Sequence, residues 1–514
     1  MDDSVLAAAR GAFPEGQTSV TLGAIVHGGA AHPEPTVRLP LPMMNRHGLI
    51  AGATGTGKTR TLQLIAEQLS AAGVPVFLAD VKGDVSGVAA PGEASPRVTQ
   101  RAAETGYAWT ATGYPVEFLS LTGARGAQLR ATVSSFGPLL LAKVLGLNET
   151  QASVLAMVFK YADDRGFLLL DFSDLRAVLQ HLTGAGAGEL ADYGGMSKQT
   201  VGVLLREMIE LEQQGAGAFF GEPEFDLNDL LQVAPDGRGV MSVLELQDVQ
   251  DKPALSSTFM MWMLARLYHT LPEAGDLEKP KLVFFFDEAH LLFEGASTAF
   301  KEQVEQVARL IRSKGVGVFF VTQSPKDVPA DILAQLGNRV QHALRAFTPD
   351  DEKALRAAAR TFPKTSFYDV EETLTTLGIG EALVTVLNTK GVPTPPFAVR
   401  LIPPSSRMSP LTEPEMSQRL SASAQVREYA TAVDRQSARE MLAARAAEAA
   451  QASPDAMQGR SPASATRAER SRAAREPRSA LEEALNSPLA RTVAGVVTRG
   501  LMGALLGGTR RRRR

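Results

Sequence analysis

The segment that most narrows the choice of fold is Gly52-Ala53-Thr54-Gly55-Thr56-Gly57-Lys58-Thr59. It follows the apolar Gly48-Leu49-Ile50-Ala51 and leads into Leu62, Ile65, Ala66 and Leu69, which are spaced as one face of a helix. The pattern G-x-x-x-x-G-K-[ST] needs that strand, loop and helix context. Its glycines let backbone N–H groups turn inward around a β-phosphate at a helix N-terminus. Lys58 is expected to reach the β- and γ-phosphates, and the Thr59 hydroxyl to bind Mg²⁺, with Arg60 closing the nucleotide-contacting run. ATP and Mg²⁺ are therefore the expected cofactors.

Around this motif, short apolar runs alternate with longer helical patterns, which predicts an α/β domain with a mostly parallel sheet. Strands are expected at 47–52, 74–80, 115–120, 239–246, 281–287, 316–322, 338–345 and 380–388. Residues 128–215 break the rhythm. Leu139–Leu147, Gln151–Tyr161, Ser173–Leu182 and Lys198–Gln213 are helix-periodic with no strand between them, so the block reads as an all-helical insertion. The ATPase core is thus expected over 47–127 and 216–402, behind a short β/loop segment at 1–46. Met260, Met261, Trp262 and Met263 lie in a helix-periodic run and read as core.

Two further strand ends carry chemistry. Leu282 to Phe286 is an apolar run ending in Asp287 and Glu288. Asp287 is placed to hold the Mg²⁺ water shell, and Glu288 to orient and deprotonate an attacking water. A second acid after the metal acid points to water as the acceptor. Gly317 to Val321 is another buried strand, ending in Thr322-Gln323. A polar-tipped strand between the phosphate-loop strand and the metal-acid strand is the layout of the ASCE class of ATPases, and there Gln323 would sense the γ-phosphate.

Composition excludes several other chemistries. With 44% hydrophobic residues, the 514-residue chain is too apolar to be wholly disordered. The absence of Cys rules out disulfides, thiolate nucleophiles and Cys-built zinc sites. Charges interrupt the first fifteen residues, and no apolar run reaches the roughly 18 residues of a membrane span, so the chain reads as cytoplasmic. Residues 454–514 hold 13 Arg against 5 acids, which leaves the rest of the chain at a net charge of about −11. Residues 412–452 read as a solvent-exposed helix and 453–478 as disordered, so 403–478 forms an exposed helix and linker. Residues 479–514 combine an apolar, Gly-containing stripe with Arg510–Arg514, which suits a partner protein, an anionic membrane surface or nucleic acid.

Together, Asn45-Arg46-His47-Gly48-Leu49-Ile50, Asp80-Val81-Lys82-Gly83-Asp84, Asp287-Glu288-Ala289-His290, Ala308 to Lys314 and Thr322-Gln323-Ser324-Pro325 resemble the HerA–FtsK superfamily, in its bacterial HerA-like, helicase-like branch. The resemblance covers about residues 20–402 and implies a RecA-like ATPase core in a homo-hexameric ring that moves a polymer, with DNA as first choice. A protein-moving ATPase like those of type IV secretion, or a non-motor ATPase switch, are the alternatives. Archaeal HerA proteins carry a β-barrel ahead of the core, and the stretch before residue 47 is too short for a full one. Asp287-Glu288-Ala289-His290 also spells the DEAH signature, but the chain after it has no room for a second RecA-like domain.

One core per chain implies that a neighbouring subunit supplies an arginine to the γ-phosphate. By the resemblance, Arg312 is nominated as that finger in trans, with Arg309 beside it. Arg46 is nominated as an arginine acting in cis, and Arg339 and Arg345 as fallbacks. Lys82 and Asp84 fit either a channel-facing element of a ring or an ordinary exposed turn.

Overall fold

The computed structural model describes residues 1–275, 277–293 and 298–451. The central strands are mostly apolar, and β3 (Gly48–Ala51), β4 (Val76–Asp80), β7 (Met241–Glu245), β8 (Leu282–Phe286) and β9 (Val316–Thr322) are buried at every position. Strands without a polar face need cover on both sides, and two hydrophobic cores, one on each face, supply it. One core contains Phe77, Phe284, Phe286 and Phe320, and the other Leu78, Val243, Phe285 and Phe319, as the period of two along each strand requires.

The remaining strands are β1 (Ser19–His27), β2 (Ala30–Pro40), β5 (Val116–Ser120), β6 (Ala127–Gln128), β10 (Asn338–His342), β11 (Glu381–Thr385) and β12 (Phe397–Leu401). All twelve form one sheet in the order β2-β1-β12-β11-β10-β3-β9-β8-β4-β7-β5-β6. From β10 to β6 neighbours are parallel, and from β2 to β10 antiparallel. The eight expected strands are all present. Those not expected are β1, β2, β6 and β12. β2 carries Pro33 and Pro35, which an edge strand tolerates and a central one does not.

Four helices fill the block after β6: α4 (Val133–Val144), α5 (Glu149–Arg165), α6 (Phe172–Thr183) and α7 (Lys198–Leu211), following α1 (Asp3–Ala12), α2 (Lys58–Ala71) and α3 (Pro96–Thr105). Asn148 with Gln151 and Asp171 with Asp174 form capping boxes at the starts of α5 and α6. Met260, Met261, Trp262 and Met263 are buried in the helix Pro253–Thr270 and belong to the core.

The chain after β12 corrects one expectation. Residues 412–451 form three helices, Glu413–Ala422, Ala424–Tyr429 and one beginning at Ala438, and they are not simply exposed. Met416, Tyr429 and Leu442 are buried, because residues 412–444 are part of the compact unit Met1–Ala444. Composition hid this: a few anchors spaced among Ala, Glu and Arg suffice when each finds a specific seat. The Tyr429 hydroxyl donates to Asp229 at 2.7 Å, and Arg130 donates to the Tyr429 carbonyl at 2.9 Å. The expected disordered linker at 453–478 and the Arg-tailed segment at 479–514 lie outside the described residues.

The stretch directly after β12 is fastened to α2 through a buried carboxylate. Glu67 accepts from the N–H groups of Ser405 (2.6 Å) and Ser406 (3.0 Å) and from the Ser406 hydroxyl (2.9 Å). Burial pushes its carboxyl up to about 7, against the pull of those three donors. A carboxyl held above its ordinary value of 4.5 contributes stability that is full below about 4.5 and is lost as pH rises through about 7. Glu67→Gln, which cannot titrate, should flatten the fall in stability between about pH 5 and about pH 8 by roughly 2–3 kcal/mol. Chemical-unfolding midpoints at the two pH values check this, and an unchanged slope would exclude Glu67 as its source.

Candidate active site

Parallel pairing of β10, β3, β9, β8 and β4 brings the carboxyl ends of five strands to one edge of the sheet. At β3 the chain leaves through the glycine loop. Gly52 has φ +154°, and a Cβ there would stand 2.5 Å from the His342 Cβ. Gly57, at φ +116°, is the residue before α2 and lets the loop close onto the helix N-terminus. The loop is tied to its neighbours by the Gly52 N–H donating to the Thr322 carbonyl at 3.2 Å, Ala53 N–H to Ala343 at 2.9 Å, and Gly380 N–H to Thr56 at 3.0 Å. The Thr56 hydroxyl donates to the Ala53 carbonyl at 2.7 Å.

Lys58 and Thr59 open α2. The Lys58 ammonium donates to the Ala53 carbonyl at 3.3 Å, so it folds back over the loop. Burial pulls it below the usual lysine range, and the charges of Glu288 and Asp287 partly restore it. Arg60, in the same turn, donates to the Gln63 side chain at 2.9 Å and is near Asp84 and Asp80.

From β8 come Asp287 and Glu288, both buried. Asp287 Oδ1 accepts from the Glu288 N–H at 2.9 Å, while its Oδ2 is buried without a hydrogen-bond partner. Burial, joined by the charges of Glu288, Asp84 and Asp80, raises the Asp287 carboxyl to about 7. An orphaned, desolvated carboxylate oxygen facing the lysine of a phosphate loop fits a hard divalent cation. Burial would also raise Glu288, but its hydrogen bond with Lys82 and the charges of Lys82, His290 and Lys58 hold it below the ordinary value.

β9 is inserted between β3 and β8, and Gln323 stands at its tip. Asp327 fixes the turn that follows, accepting from the Thr322 hydroxyl at 2.8 Å and the Ser324 N–H at 2.9 Å. A cleft of about 830 Å³ opens beside Ala53 and Thr54, and Gln323, Lys326 and Arg345 share its lining.

Four of the five sequence-nominated arginines stand elsewhere. Arg46 precedes β3, and Arg312 lies in the turn Ile311–Lys314 that precedes β9, so both are at the opposite end of these parallel strands from the loop. Between them His47 donates through Nε2 to the Ala308 carbonyl at 2.5 Å and accepts at Nδ1 from the Val318 N–H at 3.0 Å. Burial, and then the charges of Arg312 and Arg46, lower this histidine to about 4. Arg309, next to Ala308, pairs with Glu305. The length of β3, roughly 13 Å, thus lies between Arg46 and its own phosphate loop. Arg345 is the nominated arginine that reaches the cleft, whereas Arg339 is spent on the carbonyls of Leu336, Leu333 and Thr361.

Sequence reasoning missed His342, whose Nε2 is 2.8 Å from the Thr61 hydroxyl and which backs the glycine loop. Only the pairing of β10 with β3 brings it there, and no local pattern marks it.

A glycine-cradled helix N-terminus, a buried lysine, paired strand-end acids and an inserted polar-tipped strand together define a P-loop ATPase of the ASCE arrangement. Residues 27–514 match the family described as "Helicase HerA-like C-terminal", and the chain belongs to that family. A DNA double-strand break repair helicase HerA of Saccharolobus solfataricus is 23% identical over 356 residues, 68% of this chain and 63% of that protein. Probable helicase MJ1565 of Methanocaldococcus jannaschii is 34% identical over 115 residues, 22% of this chain and 21% of that protein. The chain thus spans less than two thirds of the length of these relatives. Among solved structures, the bacterial conjugative coupling protein TrwBdeltaN70 shares the fold, with a TM-score of 0.50 at 15% identity over 78% of this chain and 92% of that one.

If Lys58 holds phosphates and Glu288 takes a proton from water, Lys58→Ala should abolish tight ATP binding, whereas Glu288→Gln should bind ATP and lose turnover. Nucleotide titration and phosphate release on both variants measure this, and equal loss of binding in the two would contradict the assigned roles.

Proposed function

We propose that this chain hydrolyses ATP as one subunit of a ring, a hexamer by resemblance, and couples turnover to movement of DNA. The observation that carries the ATPase reading is the meeting of Lys58, Asp287 and Glu288 at one sheet edge, with Gln323 on the strand inserted between their parent strands. Thr59 and Asp287 would hold Mg²⁺, which neutralises charge on the phosphate oxygens. The N–H groups of the glycine loop and the start of α2 cradle the phosphates, and Lys58 adds its charge. Glu288 accepts the proton of the attacking water, and Gln323 reads the γ-phosphate from the cleft side.

No nominated trans arginine faces its own phosphate loop, and this supports a site completed between subunits. Arg309 and Arg312 stand in the elements that precede β9, at the end of the strands opposite the loop. They are proposed to act on a neighbour's γ-phosphate, while Arg345 serves the chain's own cleft. DNA as the polymer is supported by the relative named as a DNA break repair helicase. Among the described residues no helix is long and apolar enough to cross a membrane.

ATPase rate should rise with duplex DNA, on protein whose solution mass is that of a multimer, and the rise should shrink steeply with salt as counterion release predicts. A monomer with DNA-independent turnover would remove the motor reading. Arg312→Ala should bind ATP and fail to hydrolyse it, and mixing it with Glu288→Gln should restore activity at interfaces where two intact halves meet. A mixture that stays inactive despite demonstrated subunit exchange would exclude Arg312 as a residue acting in trans.

A further inference from the structure

The loop after β4 reaches the hydrolytic site from a direction that the ATPase reading does not use. Asp80, fully buried at the end of β4, turns the chain. Its Oδ1 accepts from the N–H groups of Gly83 (2.7 Å) and Asp84 (3.3 Å), and its Oδ2 accepts from that of Val85 (2.9 Å). From the segment after β7, Gln250 donates to the Val81 carbonyl at 2.5 Å and Gln247 to the Lys82 carbonyl at 2.8 Å. The backbone of 81–85 is thereby pinned at five points, and the Lys82 side chain leaves it toward β8.

There the Lys82 ammonium donates to Glu288 Oε1. The other oxygen, Oε2, stands 3.3 Å from His290 Nδ1. Glu288 itself has φ +47°, a region that bulky residues seldom adopt, so the carboxylate is held by a fixed backbone on one side and by Lys82 on the other. The two partners differ in access to solvent: the Glu288 side chain is 5% exposed and that of Lys82 is 49% exposed. An anion arriving from solvent can thus compete for the ammonium without entering the nucleotide site.

We propose that Lys82 is a positioning residue that restrains Glu288 and releases it when a polymer phosphate takes the Lys82 ammonium. While the pair is closed, Oε1 is committed to the lysine and the carboxylate is held in that orientation. A phosphodiester at the exposed face of the 81–85 loop exchanges one anionic partner for another, and Glu288 turns to water. Polymer contact is in this way converted into hydrolysis through a single ion pair. The action of Glu288 on water and the identity of the polymer as DNA rest on the proposed function, whereas the Lys82–Glu288 pair does not.

Steady-state ATPase of Lys82→Ala, Lys82→Met and Lys82→Arg proteins, each with and without duplex DNA, tests both parts. Without DNA, the Ala and Met variants should show a kcat several-fold above wild type with KM for ATP unchanged. They should gain nothing further from DNA, and Lys82→Arg should restore low basal turnover and stimulation. If wild type is not stimulated by DNA but Ala and Met still raise the basal kcat, the restraint stands and the DNA reading falls. A kcat lowered by Ala and Met in both conditions, with KM preserved and Arg restoring it, would overturn the proposal, because Lys82 would then be needed for the chemical step. Basal kcat equal to wild type in both variants would overturn it as well, leaving a solvated lysine with no hold on Glu288.

Discussion

Parallel pairing of five adjacent strands is the constraint on which the rest of the structure depends. Because β10, β3, β9, β8 and β4 run the same way, every residue that follows a strand emerges at one edge and every residue that precedes one emerges at the other. The glycine loop, Gln323, Asp287 and Asp80 belong to the first group, and Arg46 and Arg312 to the second. A ligand outside the carboxyl ends of such strands meets the side chains of several elements at once. Arg46 and Arg312 are kept off that edge by the same geometry, whereas Arg345, which follows β10, reaches the cleft there.

The site concentrates desolvated charge. Lys58, Asp80, Asp287 and Glu288 are all buried, and burial is the largest influence on each of their titrations. Such groups are tolerated where they answer one another or a backbone N–H, as Asp80 does with its turn and Glu288 with Lys82. Asp287 Oδ2 and Glu288 Oε2 are both buried without a hydrogen-bond partner and both carboxylates act on the lysine of the loop, so the uncompensated acceptors of the site gather beside Lys58.

A second set of buried polar contacts keeps the phosphate-loop helix in register with the chain beyond the sheet. Glu67 on one turn of α2 takes two backbone N–H groups of Ser405 and Ser406, and Gln63 on the preceding turn donates to the Ser406 hydroxyl at 2.7 Å. Residues 403–411 are thus structural support for the helix that opens with Lys58, although their composition gives no sign of it. The lowered histidines have a similar role: His342 backs the loop through Thr61, and His47 links the start of β3 to the helix carrying Arg309, each kept neutral by complete burial.

The sequence alone determined the phosphate loop, the paired acids at 287 and 288, the polar tip at 323 and the eight core strands, because each is a contiguous pattern whose chemistry is local. Glycines at fixed spacing, a buried strand ending in acids and a helix period can be read without knowing what lies beside them. Tertiary structure alone decided which separate segments meet. It paired β10 with β3 and so put His342 behind the loop, brought Lys82 onto Glu288 across 206 positions of chain, and seated Tyr429 and Met416 in what composition offers as an exposed helix. The physical reason is that strand order is set by the burial of whole faces, a sum over many side chains, so no short window of sequence records which strand ends become neighbours.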